Sequence, residues 1–153
     1  MAEVVLDANV IVAFLDANDS LHERAIQLLQ RLEGQDDEVA LVDICVGEAI
    51  SVLCRRARER RGGTGTPGPA KAPPDLRAAL DRVRQWATDG TMVWVAHHSE
   101  RLVTNVLDVI EYTRGRLNFN DALLVVLQRE GVIHDVASFD EGFEVESSFR
   151  RVC

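Results

Sequence analysis

The sequence predicts an α/β fold, a three-layer α/β/α sandwich with a mainly parallel central sheet. Short apolar runs rich in valine alternate along the chain with longer segments whose apolar residues recur at helical spacing. Each run is followed by a polar residue and a helix, which is the order that crossover helices give between parallel strands. The 153 residues, 46% of them hydrophobic, suit a single globular domain over residues 1–153.

The first strand is expected at residues 4–6, where three apolar residues stand directly before Asp7. A buried helix follows through Leu15. Ser20 and Glu23 then have the spacing of a capping box, in which the serine side chain caps a helix and the glutamate reaches back to it. We therefore expect Ser20 to begin the second helix.

The rest of the chain continues the alternation. Asp43 is placed to cap the third helix, and the helix that contains residues 122–127 is apolar nearly all round, so it is expected to be central and buried. Gly62 to Pro74 is rich in glycine and proline and is expected to be a flexible insert within the domain. The other strands are expected at 39–42, 92–95, 133–137 and 149–152, and the other helices at 75–87, 99–113 and 118–127.

Composition excludes several classes of protein. The net charge of −8 is unlike that of a protein held on nucleic acid by bulk positive charge, so a local basic patch would have to make any such contact. No apolar run is long enough to span a bilayer, and the start of the sequence has no signal-peptide pattern. Three cysteines without a pairing motif fit a reducing compartment. We expect a cytoplasmic protein without membrane contact.

Four acidic residues stand where buried elements begin or end, and a charge there is unfavourable unless something pairs with it. Asp7 ends the first strand, Glu48 follows the second strand, Asp121 lies in the first turn of the most apolar helix, and Asp140 follows the fourth strand. Because the carboxyl ends of parallel strands share one edge of the sheet, all four can meet in one cleft. Each acid alone is equally well explained as a helix cap or turn residue, so the prediction depends on the whole set.

Carboxylates that meet in a cleft need a counter-charge. Two of them about 4 Å apart repel by roughly 4 kcal/mol at an effective dielectric near 20, and the sole lysine, Lys71, belongs to the predicted insert. A divalent ion would relieve the repulsion, and all-oxygen ligands suit Mg²⁺ or Mn²⁺, whereas the cysteines and histidines lack zinc-site spacing. Such ions activate water and stabilise the charge that develops on a phosphodiester. These residues therefore predict metal-dependent phosphodiester hydrolysis.

Four segments resemble the acidic motifs of PIN-domain nucleases, and their order is most similar to that of the VapC-type ribonuclease toxins of bacterial toxin–antitoxin pairs. The segments are Val4–Asn9, Gly47–Glu48, Phe119–Ala122 and Ser138–Asp140, and the resemblance covers nearly the whole chain. It implies a PIN-like fold and a metal-dependent endoribonuclease that cleaves RNA through metal-activated water. It also implies a cognate antitoxin protein and a homodimer.

The family's site residues can be carried over position by position. Asp7 and Asp121 match the principal metal ligands, and Glu48 and Asp140 match the acids that complete the site or hold metal-bound water. Ser138 falls where the family often has a small hydroxyl residue, which positions water or metal. All four acids are therefore expected to be both catalytic and metal-binding.

Further residues beside these acids have two interpretations each. Asn9 and Asn120 are either hydrogen-bond donors to the ligands or ordinary helix-start residues. The arginine run that ends the third helix is either a solvated face that suits the helix dipole or a surface for RNA phosphates. The candidates for contacts with the RNA backbone are Arg55, Arg56, Arg58, Arg60, Arg61, Arg114 and Arg116.

Three alternatives to a toxin nuclease remain from sequence. A housekeeping RNA-processing nuclease of the same family would have the same acids, and a catalytically silent interaction module would keep only the fold. A phosphorylatable receiver domain also has acids at strand ends, but it needs a lysine near the last strand, and this sequence has none there. The Gly62–Pro74 insert departs from the family pattern, so the geometry of any partner contact is open.

Overall fold

The computed structural model of the chain describes residues 2–60 and 72–153. Arg61 and most of the predicted Gly62–Pro74 insert lie outside these ranges. In the described residues the strands are β1 (Glu3–Leu6), β2 (Glu38–Val42), β3 (Met92–Val93), β4 (Asp135–Ala137) and β5 (Arg151–Val152). The helices are α1 (Ala8–Leu15), α2 (His22–Gly34), α3 (Asp43–Arg60), α4 (Pro74–Thr88), α5 (Ser99–Tyr112) and α6 (Phe119–Arg129), with 3-10 turns at Ala96–His98 and Glu141–Val145.

These five strands form one sheet in the order β3-β2-β1-β4-β5, and every neighbouring pair is parallel. Since crossovers between parallel strands are right-handed, the path from β1 through β2 to β3 places its helices on one face, and the return to β4 places α5 and α6 on the other. The packing agrees, because α1 contacts α2 and α3 while α5 contacts α6. The predicted three-layer α/β/α architecture is confirmed.

The strand order reverses between β1 and β4, which lie side by side at the centre of the sheet with Leu6 opposite Ala137. In open parallel sheets the crevice beyond the carboxyl ends of the strands at such a reversal is where ligands bind. Asp7 directly follows β1, and Ser138 directly follows β4. The topology therefore brings two segments that are 131 residues apart to the same edge.

Helix α6 forms the centre of the core, as its uniformly apolar sequence predicts. Every residue from Ala122 to Leu127 is at most 3% exposed. The helix starts with a capping box in which the Asn118 side chain accepts a hydrogen bond from the Asp121 backbone and the Asp121 carboxylate accepts one from the Asn118 backbone. A buried helix that starts at a fixed residue gives Asp121 a fixed position at the edge of the sheet.

Two sequence predictions about helix starts are wrong. Ser20 does not cap α2, which has no side-chain cap; instead Asp19 Oδ1 accepts a hydrogen bond from the Leu21 backbone 2.8 Å away and forms the turn before the helix. Asp43 is the first residue of α3, but its carboxylate accepts hydrogen bonds from the backbone of Val95 and Ala96. Asp43 therefore connects two distant segments, although its place in the sequence predicts a local cap.

Three strands are shorter than predicted, and the last of them is Arg151–Val152 instead of 149–152. The third strand ends at Val93, because the chain then turns into the Asp43 carboxylate and leaves Trp94 64% exposed. The fourth begins at Asp135 instead of Ile133, whose backbone N–H still bonds the end of α6 at Leu127. No helix within the described ranges combines the length and apolar character needed to cross a membrane.

Gln128 links the end of α6 to the last two strands. Its amide nitrogen donates to the backbone oxygens of His134, at 2.5 Å, and Arg150, at 3.1 Å, and its oxygen accepts from the Arg150 backbone at 2.8 Å. The residue is 8% exposed, so water cannot readily replace these bonds. A single side chain thus satisfies backbone groups where β4 and β5 begin.

We predict that Gln128→Leu lowers the free energy of unfolding by about 2–4 kcal/mol, because it removes three hydrogen bonds and leaves the His134 carbonyl and the Arg150 N–H without this partner. Urea unfolding followed by circular dichroism measures the change. The matched control is Gln27→Leu, since Gln27 is exposed on α2, and it should stay within about 0.5 kcal/mol of wild type. Equal stability of the two variants would contradict this role of Gln128.

Candidate active site

Asp7 is held in place by three hydrogen bonds that occupy both carboxylate oxygens. It caps α1 with Oδ1, which accepts from the Ala8 backbone at 2.7 Å. Its Oδ2 accepts from Asn9 Nδ2 at 2.7 Å and from Ser138 Oγ at 2.6 Å. A carboxylate has about four lone-pair sites, so Asp7 can still accept one further contact. The capping role and a ligand role are therefore compatible.

Asn9 and Ser138 join the segment after β1 to the segment after β4. Asn9 donates to Ser138 Oγ at 3.0 Å and accepts from the Phe139 backbone at 3.0 Å, and Ser138 Oγ accepts from the Asp140 backbone at 3.1 Å. Ser138 is fully buried. The network fixes where Asp140 emerges relative to Asp7, although 133 positions separate them in sequence.

The Asp140 side chain accepts a hydrogen bond from the backbone two residues later in the chain. Its Oδ1 accepts from the Gly142 backbone at 2.7 Å, and a side chain at residue 142 would bring a Cβ atom within 2.9 Å of that oxygen. Any larger residue at 142 would therefore have to displace the Asp140 carboxylate from this position. Asp140 itself is exposed, so its carboxylate lies on the solvent side of the site.

Glu48 reaches the site from α3. Its Oε2 accepts a hydrogen bond from Asn120 Nδ2 at 2.9 Å, and Asn120 directly precedes Asp121 on α6. The structure therefore places Asn120 as a donor to a predicted ligand and not only as a helix-start residue. Glu48 and Asp121 come from helices on opposite faces of the sheet, and the amide of Asn120 joins them.

The four acids line one cavity of about 270 Å³ at the carboxyl edge of the sheet. Asp7 and Asp121 form its buried side, at 5% and 9% exposure. Residues that the sequence did not identify also line it, and these include Asp19, Asn118 and Val52. The full lining is Asp7, Ala8, Asn9, Val12, Asp19, Leu21, Glu48, Val52, Arg56, Asn118, Asp121 and Asp140.

Burial and mutual repulsion perturb the two inner carboxylates. Burial raises the pKa of Asp7 to about 6, with repulsion from Glu48 and Asp140 adding to the rise and the Ser138 hydrogen bond opposing it. Burial raises the pKa of Asp121 to about 7, again with repulsion from the other three acids. Strongly perturbed acids in a cleft are characteristic of functional sites.

The donor set fits a hard divalent cation. Carboxylate oxygens are the ligands that Mg²⁺ and Mn²⁺ prefer, and a cation among the acids would reverse the repulsion that raises their pKa values. Within residues 2–60 and 72–153, however, no group of three His, Cys, Asp or Glu side chains is arranged to hold a metal ion as it stands. Glu48 and Asp140 are the more exposed acids, so they can turn inward with little repacking.

The predicted RNA-contacting arginines are not equivalent. Of the six that the structure describes, Arg56 alone lines the acid cavity. Arg55 is exposed and pairs with Glu59, and Arg58 lines a separate cavity between α3 and α4. Arg60 pairs with Asp16 and Asp75. The other two, Arg114 and Arg116, are exposed between α5 and α6.

Comparison with known proteins gives one family and a common fold. The model of the PIN domain matches residues 4–145, whereas no curated protein matches the chain. The crystal structure of VapC20 from Mycobacterium tuberculosis, a sarcin-ricin loop cleaving toxin, is 18% identical with a TM-score of 0.64, over 97% of this chain and 98% of that one. The structure of FitAcB from Neisseria gonorrhoeae is 16% identical with a TM-score of 0.62, over 98% and 96%.

We predict that Asp121→Asn stabilises the metal-free protein at about pH 8 and leaves its stability unchanged near pH 4. Since folding raises the pKa of Asp121 from 3.8 to about 7, wild-type stability falls as the pH rises between these values and stays low above them. Asparagine carries no charge and can still accept the Asn118 capping bond. The expected gain at about pH 8 is about 2–4 kcal/mol.

Urea unfolding in EDTA at both pH values measures this difference. The matched control is Asp108→Asn, because Asp108 is an exposed aspartate on α5 that does not line the acid cavity. A gain of the same size at both pH values, or a loss at about pH 8, would show that the buried charge of Asp121 does not limit stability.

Proposed function

Because the chain belongs to the PIN-domain family, whose members are nucleases, we propose that it is a metal-dependent endoribonuclease that hydrolyses RNA phosphodiester bonds. The observation that carries this proposal is the cavity at the carboxyl edge of the sheet, where Asp7, Glu48, Asp121 and Asp140 meet. A structural role alone would not require four acids from four separate segments to repel one another in one place.

The residues of the cavity have two kinds of role in this proposal, which are to bind the cation and to orient the residues that bind it. Asp7 and Asp121 would hold Mg²⁺ or Mn²⁺, and Glu48 and Asp140 would complete its ligands. When bound, the cation lowers the pKa of a water molecule and stabilises the charge that develops on the phosphodiester. Ser138 and Asn9 keep Asp7 oriented through its Oδ2 atom. Asn120 orients Glu48.

We further propose that this nuclease is the toxin of a type II toxin–antitoxin pair. The support is that both similar structures match over nearly the full chain and that one of them, VapC20, is a sarcin-ricin loop cleaving toxin. A cognate antitoxin and a homodimer follow from this assignment. Exposed apolar side chains are available for such contacts, among them Trp94 at 64% and Leu107 at 54% exposure.

A second candidate is a catalytically silent module with the same fold. It is favoured by one observation. Among the residues that the structure describes, no three His, Cys, Asp or Glu side chains lie close enough together to hold a metal ion without moving. Calorimetric titration of Mn²⁺ into the protein separates the two candidates. Binding that Asp7→Asn weakens supports the nuclease, and the absence of binding supports the silent module.

We predict that purified protein cleaves single-stranded RNA oligonucleotides in MnCl₂ but not in EDTA. Asp7→Asn should lower the rate by more than about a hundredfold, which exceeds the effect usual for residues outside the metal's own ligands. Gel electrophoresis of end-labelled RNA measures the rate. Asp108→Asn is the control and should cleave as wild type does. Mn²⁺-dependent cleavage that survives Asp7→Asn would refute the assignment.

Asn120→Ala should weaken Mn²⁺ binding by about 10–100-fold, because Glu48 loses the amide that orients it. Calorimetric titration measures the affinity directly. Asn105→Ala is the matched control, since Asn105 is exposed on α5, and its Mn²⁺ affinity should not change. Unchanged affinity in Asn120→Ala would show that Glu48 does not depend on this hydrogen bond.

A further inference from the structure

Arg56 is the one arginine in the described residues that lines the acid cavity. Glu48, Val52 and Arg56 are spaced four residues apart on α3, so they share one helix face, and all three line the cavity. Arg55 is exposed and pairs with Glu59, and Arg58 lines the separate cavity between α3 and α4. The observed lining of the acid cavity thus distinguishes Arg56 from its neighbours in the arginine run.

Two aspartates hold Arg56 by a single nitrogen. Its Nη1 donates to Asp16 Oδ2 at 2.9 Å and to Asp19 Oδ2 at 2.6 Å. The side chains of these aspartates are only 3% and 9% exposed, so they form a fixed wall. Arg60 donates to the same Asp16 oxygen at 2.7 Å and helps to neutralise the pair. We call Asp16 and Asp19 the clamp.

The clamp leaves the other edge of the guanidinium free. Both Nη1 hydrogens are used, whereas Nε and Nη2 of Arg56 make no hydrogen bond to the residues that the structure describes. These two nitrogens present parallel N–H groups, the arrangement that binds a phosphate through two oxygens. The side chain is 32% exposed, so this edge is open to a ligand.

We propose that Arg56 binds a phosphate of the RNA backbone beside the scissile one, and that Asp16 and Asp19 are its positioning residues. The proposal rests on the proposed ribonuclease function. Eight residues separate Glu48 from Arg56, about 12 Å along α3, which favours a neighbouring phosphate over the scissile one. The negative clamp therefore assists the binding of a negative substrate, because it fixes the arginine that receives it.

The test is steady-state cleavage of a fluorogenic single-stranded RNA in MnCl₂ at several KCl concentrations. Arg56→Ala removes the contact, and Arg56→Lys keeps the charge but loses the two parallel donors. Asp19→Asn can keep the oxygen that accepts from Leu21 while it replaces the oxygen that accepts from Arg56. Arg55→Ala is the matched control, with the same loss of charge one residue away.

We expect Arg56→Ala to raise KM about tenfold, as the loss of a charge-assisted hydrogen bond does, with kcat within about twofold. For this variant, the slope of log KM against the logarithm of the salt concentration should be smaller than that of wild type by about one. Arg56→Lys should also raise KM, and Arg55→Ala should change it less than about twofold. Asp19→Asn should raise KM because Arg56 loses a residue that positions it. If Asp19 acted only by repelling the negatively charged RNA, the loss of its negative charge would lower KM instead.

Equal KM values for Arg56→Ala and Arg55→Ala would overturn the proposal. So would a lower KM for the Asp19→Asn variant, provided that this variant melts at the wild-type temperature. If Asp19→Asn does not fold, wild-type KM in Arg56→Lys overturns it instead. Calorimetric Mn²⁺ affinity should be unchanged in the Arg56 variants, which separates lost RNA contact from damage to the acids. Wild-type protein that does not cleave RNA refutes the proposed function itself.

Discussion

The burial of Asp7 and Asp121, together with repulsion among them, Glu48 and Asp140, is the constraint that explains the rest of the site. Burial and proximity raise the pKa of Asp7 to about 6 and that of Asp121 to about 7. Without a cation, such an arrangement destabilises the folded protein at neutral pH. The fold tolerates it because several rigid elements meet at the cavity and because each acid accepts at least one hydrogen bond there.

The parallel topology accounts for the convergence. The sheet order reverses between β1 and β4, and the two segments that follow these strands are joined by the Asn9–Ser138 network. Asp7 and Asp121 each cap a helix and face the cavity at the same time. Helix capping and a role in the site are thus not alternatives here, since the cap is what fixes each carboxylate at the edge of the sheet.

Sequence patterns predict the features that local chemistry determines. The uniformly apolar residues 122–127 predict a buried helix, and strand–acid–helix order predicts the sheet edge where the acids lie. Features that depend on distant partners are not predictable in this way. Asp43 stands where a helix cap is expected, but its carboxylate bonds the backbone after β3. Likewise, nothing near Asp19 in the sequence predicts its bond to Arg56. Within the arginine run, spacing does not distinguish Arg56 from the arginines beside it, and only the observed lining of the cavity does.

The proposed nuclease function requires that the four carboxylates form one divalent-cation site. An anomalous difference map from a crystal soaked in MnCl₂ tests it most directly, because manganese scatters anomalously and its position needs no assumption about ligands. We expect a peak inside the cavity, in contact with the carboxylates of Asp7 and Asp121 and with Glu48 or Asp140 turned toward it. An empty cavity, with manganese bound only at surface acids elsewhere, would show that these carboxylates do not form a divalent-cation site.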